Sequence, residues 1–158
     1  MKRIRWYVVA NRTRARFYQS STVSSFRLIK EILNPHGRVK ERSLDSDRPG
    51  IGFSSASRGD IHHAFGRRNT RHEETARRFS KKIALFLKSA LNAQRYSELV
   101  LVAEPHFLGL IRRSLIAQLI DKKIVYEIYH DYCPDSFKDE PEHKVRDLIL
   151  ASIGKVSK

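Results

Sequence analysis

The sequence predicts one α/β domain built on a mixed five-stranded sheet with helices on its faces. The stretch Glu98–Gly109 opens with a short run of apolar and β-branched residues, and this run is stopped by Pro105, which is typical of a fully buried strand. Leucine and isoleucine then recur at helical spacing, and Lys123–Tyr129 is a second strand-like run. This order is that of a β-α-β unit, which places two parallel strands side by side.

Three strands with short connections are predicted before this unit. Arg5–Asn11 and Ala15–Gln19 flank a connection short enough for a hairpin, and Phe26–Leu33 follows. Such strands form an antiparallel meander. It ends at Asn34-Pro35, because proline has no N–H to donate to a further ladder.

Two further helices complete the predicted order of elements. Thr70 and Glu73 have the spacing of a capping box, and apolar residues then recur with helical period over about twenty residues. For the closing helix, Asp139–Glu142 is expected to supply the cap, an early proline and the first-turn acids, and Gly154 is expected to end it. The complete order, β-β-β-α-β-α-β-α, is that of the ribonuclease H-like fold.

Residues 36–69 are predicted to form a long, basic and mobile loop within a single domain that spans residues 1–158. The segment is rich in glycine, serine, arginine and lysine and has few large aliphatic residues. Connections longer than about 15 residues are uncommon in compact domains unless they are functional or disordered. Two interpretations remain open, a solvated flexible insertion or a basic arm that becomes ordered on its target.

The charge of the chain indicates its class of partner. Among 158 residues there are 31 Lys+Arg against 17 Asp+Glu, which gives a net charge of +14. A positive field of this size attracts polyanions. The predicted partners are RNA or the ribosome, and the alternative is an anionic membrane surface or an acidic protein. A single cysteine and the absence of a recognisable signal peptide or membrane-spanning run favour a reduced, cytoplasmic setting.

The candidate nucleic-acid-binding residues lie in the basic loop and in the helix that follows it. The basic residues of the helix fall off its apolar stripe and adjoin the loop, which favours one continuous basic surface. Arginines and lysines of this kind neutralise phosphates and position a protein on RNA without reading its sequence. The candidates are Arg38, Lys40, Arg42, Arg48, Arg58, Arg67, Arg68, Arg71, Arg77, Arg78, Lys81 and Lys82.

A second candidate region lies where the two parallel strands end. Glu104, His106 and Asp131 should share that edge of the sheet, which is where ligands bind in open α/β sheets. Carboxylates there could hold divalent metals in a hydrolase, or could serve as caps and salt-bridge partners. The first strand ends in Ala10 and Asn11 where nucleases of this fold carry an aspartate, so the carboxylate set is incomplete. We therefore expect no catalytic residue, no metal and no cofactor.

Three segments of the chain, Trp6–Phe17, His72–Ala84 and Leu99–Gly109, together resemble the bacterial host-attachment protein family. The resemblance extends to the middle domain of archaeal and eukaryotic peptide-chain release factors and of the ribosome-rescue factor Pelota. It implies the ribonuclease H-like fold and a role in translation or ribosome rescue. The family name records a phenotype, and it implies the alternative of an envelope-associated interaction protein in attachment.

The release-factor resemblance also implies where the chain departs from a hydrolase. Those factors carry a catalytic Gly-Gly-Gln in the loop before the long basic helix. The matching segment here, Arg48–Arg71, contains no Gly-Gly-Gln and no glutamine. The resemblance therefore implies a non-catalytic basic binding module that docks on structured RNA, the ribosome or tRNA, and not the hydrolysis of peptidyl-tRNA.

Overall fold

Five strands form one mixed sheet in a computed structural model of the chain, which describes residues 3–21, 25–38, 61–130 and 142–156 and their side chains except at 38, 61–70 and 154–156. The order across the sheet is β3-β2-β1-β4-β5. Neighbours β1 and β2 and neighbours β2 and β3 are antiparallel, whereas β4 is parallel to both β1 and β5. The predicted α/β class with a mixed five-stranded sheet is confirmed. The strands are β1 Arg5–Ala10, β2 Arg14–Ser20, β3 Arg27–Leu33, β4 Glu98–Ala103 and β5 Ile124–Tyr129.

Three α-helices accompany the sheet in the described part of the chain: α1 Ile61–Asn92, α2 Pro105–Ala117 and α3 Glu142–Val156. Short 3-10 helices lie at Pro35–Arg38 and Asp121–Lys123. With 32 residues, α1 is roughly 48 Å long. Pro105 is the first residue of α2, where its missing N–H would have no partner within the helix in any case.

Both predicted bounds of the loop, residues 36 and 69, are wrong. Its beginning lies in the 3-10 helix that starts at Pro35, and α1 already begins at Ile61 instead of Thr70. The capping-box residues therefore lie inside the helix. Each residue added to a nucleated helix gains one backbone hydrogen bond, so an isolated Gly66 costs about 1 kcal/mol without ending it. Residues 39–60 of the predicted loop lie outside the described residues.

The predicted end of the closing helix at Gly154 is also wrong, because α3 continues to Val156. A glycine terminates a helix where the backbone can turn into the left-handed region, and no glycine of the described residues has a positive φ. The prediction rested on residue type, whereas the backbone at this position remains helical.

The apolar core has two parts, one on each face of the sheet. On one face, Leu99 and Leu101 of β4 pack with Phe79 and Ile83 of α1 and with residues of α2. On the other, Val100 and Val102 pack with Val145 and Ile149 of α3. All four β4 side chains are at most 1% exposed. This agrees with the prediction that β4 is covered by helices on both faces.

Across the described residues, no helix combines the length and the apolar character that crossing a bilayer requires.

Candidate nucleic-acid interface

Five cations of the predicted set have exposed side chains on α1, and we call them the basic face. The buried residues of the same helix, which include Ala76, Phe79, Ile83 and Leu87, recur at three- and four-residue spacing and face the sheet. This amphipathic spacing leaves the intervening positions to solvent. The basic face consists of Arg71, Arg77, Arg78, Lys81 and Lys82.

The other predicted site residues are placed less fully. Arg67 and Arg68 lie within α1 and Arg38 lies within the first 3-10 helix, but the side chains of all three lie outside the described residues. The remaining candidates lie wholly outside the described residues: Lys40, Arg42, Arg48, Arg58 and Asp131.

Only part of the basic face is paired with carboxylates. Arg77 Nε lies 3.5 Å from Glu73 Oε1, and Arg78 contacts Glu74, in both cases one helical turn apart. Such exposed pairs contribute about 0.3–0.5 kcal/mol each. Among the described residues, no ion pair joins the side chains of the other three cations to a carboxylate. These cations can contact phosphates without first breaking an internal pair.

A cleft of about 610 Å³ lies between α1 and the segment formed by the end of β3 and the first 3-10 helix; we call it the α1 cleft. The α1 side contributes cations and Phe79, while the opposite side contributes apolar and imidazole groups. The principal lining residues are Arg71, Arg78, Lys82, Phe79, Leu33 and His36.

The 3-10 wall of the cleft is fixed to the connection between β1 and β2. The backbone N of Asn34 donates to the carbonyl oxygen of Thr13 at 2.7 Å. The side-chain Nδ2 of Asn34 donates to the carbonyl oxygen of Arg12, also at 2.7 Å. A Cβ at Gly37 would lie 2.2 Å from that same Arg12 oxygen, so a side chain here would collide with backbone. The wall therefore has a defined position relative to the sheet.

Asn11 shapes that connection. Its Oδ1 accepts hydrogen bonds from the backbone N of Thr13 at 2.9 Å, from Thr13 Oγ1 at 2.8 Å and from the backbone N of Arg14 at 2.9 Å. An asparagine that bonds to the backbone two and three residues ahead stabilises a tight turn. Asn11 Oδ1, which lies just after β1, thus has its hydrogen-bond donors within the protein.

A chain of polar contacts crosses the carboxyl edge of the parallel strands, and we call it the edge chain. Arg12 Nε donates to Glu104 Oε1 at 3.0 Å, and Arg12 Nη2 lies 3.2 Å from His106 Nδ1. On its other side, His106 Nε2 lies 3.3 Å from Glu73 Oε2 of α1. Glu73 in turn pairs with Arg77. The edge chain thus joins the β1–β2 connection, the start of α2 and the side of α1.

These contacts determine what the edge can do chemically. A guanidinium has donors but no acceptor, so His106 Nδ1 accepts from Arg12 and Nε2 carries the proton directed at Glu73. Glu104 has the salt-bridged role that the sequence left open. Within the described ranges, no three His, Cys, Asp or Glu side chains are grouped so that they could hold a metal ion.

Sequence reasoning placed Glu104 and His106 at the same edge but missed their partners. Arg12 lies 92 residues before Glu104 in the chain, and no local pattern connects the two. Glu73 was interpreted as a capping residue. The proline and glycine of the first 3-10 helix were the available signal for a tight turn, but the close approach of Gly37 to the Arg12 carbonyl depends on the folded sheet.

Solved structures with a similar course of the chain were found at 7% sequence identity. One is described as an archaeal protein, with a TM-score of 0.43 over 98% of this chain and 38% of that chain. Another is the crystal structure of an archaeal translation termination factor, with a TM-score of 0.45 over 98% of this chain and 40% of that chain. This chain therefore spans about two fifths of the length of either structure.

Sequence comparisons gave one positive result. No curated protein matches the chain. A family profile described as "Protein required for attachment to host cells" matches residues 6–140, which confirms the resemblance to the host-attachment family. Since that match spans most of the 158 residues, the chain belongs to the family of proteins required for attachment to host cells.

Proposed function

We propose that this protein is a non-catalytic binding module that docks on structured RNA, such as ribosomal RNA or tRNA, through the basic face of α1. The observation that carries the proposal is the row of exposed cations on one rigid helix. Arg78 is 77% exposed and Arg77 58% exposed at the side chain. A helix buried along one stripe holds such cations at fixed spacing, which suits a polyanion with regularly spaced charges.

Counterion release supplies the driving force for this docking. Each phosphate that a cation neutralises frees a condensed counterion, so affinity falls with the logarithm of salt by roughly 0.7–0.9 per contact. The net charge of +14 adds long-range attraction that accelerates encounter. Contacts to phosphates alone carry no sequence information, so we expect binding to many structured RNAs with similar affinity.

The test compares two triple variants with the same change in charge. Replacing Arg71, Lys81 and Lys82 by alanine should lower RNA affinity and flatten the slope of log affinity against log salt by about two to three units. The control variant replaces Arg113, Lys122 and Lys123, three exposed cations outside the basic face, by alanine. This variant should leave the salt slope nearly unchanged. Fluorescence anisotropy with a labelled RNA hairpin over a range of salt concentrations measures both.

Two outcomes would overturn the proposal. An equal loss of slope in both triple variants would mean that the basic face is not the contact surface. If the unaltered protein showed no salt-dependent RNA binding but co-sedimented with anionic vesicles, its charge would serve a membrane surface, in keeping with the attachment phenotype that describes the family.

A further inference from the structure

We infer that the α1 cleft is a binding site for one unpaired nucleotide of the RNA, with its phosphate on the cations and its base against the apolar lining. This inference rests on the proposed function and goes beyond it, because phosphate contacts on an open helix face would need no cleft. The volume of about 610 Å³ lies within the roughly 300–1,000 Å³ of small-ligand sites.

The lining separates apolar from charged groups in a way that suits the two ends of a nucleotide. Phe79 lines the cleft but is 3% exposed and stacks on Phe107 with ring centroids 5.9 Å apart, so this part of the lining is held in place by the core. Leu33 of the opposite wall remains 51% exposed. Protein sites for single-stranded nucleic acid combine such surfaces for the base with cations for the backbone.

The charged part of the lining comes from one stripe of α1. Arg71, Thr75, Arg78 and Lys82 follow one another at intervals of three or four residues and all line the cleft. Three cations there face a single carboxylate, Glu74, which pairs with Arg78. The cleft therefore keeps an excess of positive charge, which is what a phosphate or phosphodiester requires.

Both walls are held in place before any ligand arrives. The 3-10 wall is bonded to the Arg12 carbonyl through Asn34, and the edge chain connects the Arg12 side chain through His106 to Glu73 of α1. Arg12 is thus a positioning residue that links the two walls through its backbone and its side chain. A preformed site loses less conformational entropy on binding than one that must be ordered by its ligand.

The experiment measures the preference for an unpaired nucleotide. A blunt RNA duplex and the same duplex with a single-stranded 3′ overhang are compared by anisotropy at one salt concentration. We expect about 10-fold tighter binding of the overhang, which equals about 1.4 kcal/mol, from the contact of one base with the apolar lining. Titration with adenosine 5′-monophosphate, followed by NMR shifts of the Leu33 and Thr75 amides, locates the nucleotide directly.

Neighbouring lysines provide a matched control. Lys82→Ala should lower the overhang preference several-fold, whereas Lys81→Ala, which removes another exposed cation outside the cleft lining, should weaken both RNAs alike. Leu33→Ser leaves the charge unchanged and should lower only the overhang affinity.

The outcomes separate this inference from the proposed function. Salt-dependent RNA binding without any overhang preference would overturn the nucleotide site and leave the docking proposal standing. Equal effects of the two lysine variants on the preference would also exclude the cleft. Absence of RNA binding by the unaltered protein would remove both proposals together.

Discussion

Gly37 is the residue at which the first 3-10 helix meets the backbone of the β1–β2 connection. In Gly37→Ala the new Cβ would lie 2.2 Å from the Arg12 carbonyl oxygen and 3.1 Å from Thr13 Cα, and neither is a flexible side chain. We expect a loss of about 1–3 kcal/mol in the free energy of unfolding, because backbone must shift to relieve the overlap. Urea denaturation measures it, and an unchanged midpoint would refute the contact.

Gly109 of α2 is the opposite case. A Cβ added there would meet no atom within 4 Å, so nothing obstructs an alanine. Glycine inside a helix costs roughly 0.5–1 kcal/mol relative to alanine through its greater freedom in the unfolded chain. Gly109→Ala should therefore raise the free energy of unfolding, measured by urea denaturation, by that amount. A lower midpoint would show that this part of α2 is not regular helix.

Tyr96 makes stability depend on alkaline pH. Burial raises the pKa of Tyr96 to about 12, and its hydroxyl donates to the carbonyl oxygen of Leu87 at 3.0 Å. The unfolded chain releases this proton near pH 10 but the folded protein keeps it. Stability is therefore fully present below about pH 10 and falls by roughly 1–3 kcal/mol as pH rises toward 12.

Chemical denaturation at a series of alkaline pH values measures this loss. Burial also raises the pKa of Tyr18, which contributes in the same direction. In Tyr96→Phe the loss should be smaller than in the unaltered protein, although the Leu87 carbonyl then lacks its donor. Identical alkaline curves for the two proteins would contradict the prediction.

Contacts between distant residues limited what the sequence could predict about the site. The strand ends at Glu104 and His106 followed from a local pattern, since an apolar run and a proline mark the end of β4. Their engagement by Arg12 and Glu73 depends on the β1–β4 register and on the packing of α1 against α2, neither of which leaves a local signal. The cations of the α1 cleft were among the predicted residues, but their placement opposite Leu33 and His36 left no local signal either.

β4 is the strand that holds both faces of the sheet to their helices. Val102 is 1% exposed and packs in the cluster that includes Val145 of α3. Val102→Asp would bury an unpaired carboxylate, which costs several kcal/mol, and soluble expression should be lost. Val125→Asp on β5, where the valine is 41% exposed, is the control and should remain soluble. Equal solubility and melting temperature for both variants would exclude a central β4.

The ends of helices were predicted less well from the sequence than any other feature of the fold. The strands and their order followed from alternation, apolar runs and turn residues, and their bounds agree within a residue or two. At Thr70 and at Gly154, the same residue types that cap helices occur inside helices. Capping residues indicate where a helix can begin or end, whereas continued backbone hydrogen bonding decides whether it does.

The excess of positive charge acts on the whole molecule as well as on its partner. The chain has 31 Lys+Arg against 17 Asp+Glu, so the excess cations repel one another in the folded state. Salt screens that repulsion. We expect the melting temperature to rise as sodium chloride increases from about 20 to 150 mM, while RNA affinity falls over the same range. Lys81→Glu with Lys82→Glu should flatten the rise in melting temperature. A melting temperature that falls with salt would show that ion pairs outweigh the repulsion.

The place of β1 in the sheet affects how the chain folds while it is being synthesised. Its antiparallel partner β2 follows almost at once, but the Glu98 that contacts Arg5 is 93 residues further along. At about 5–20 residues per second, one edge of β1 stays without its strand for roughly 5 to 20 s. Open strand edges invite pairing with other chains. The nascent amino-terminal meander is therefore the segment on which a holding chaperone would have most effect.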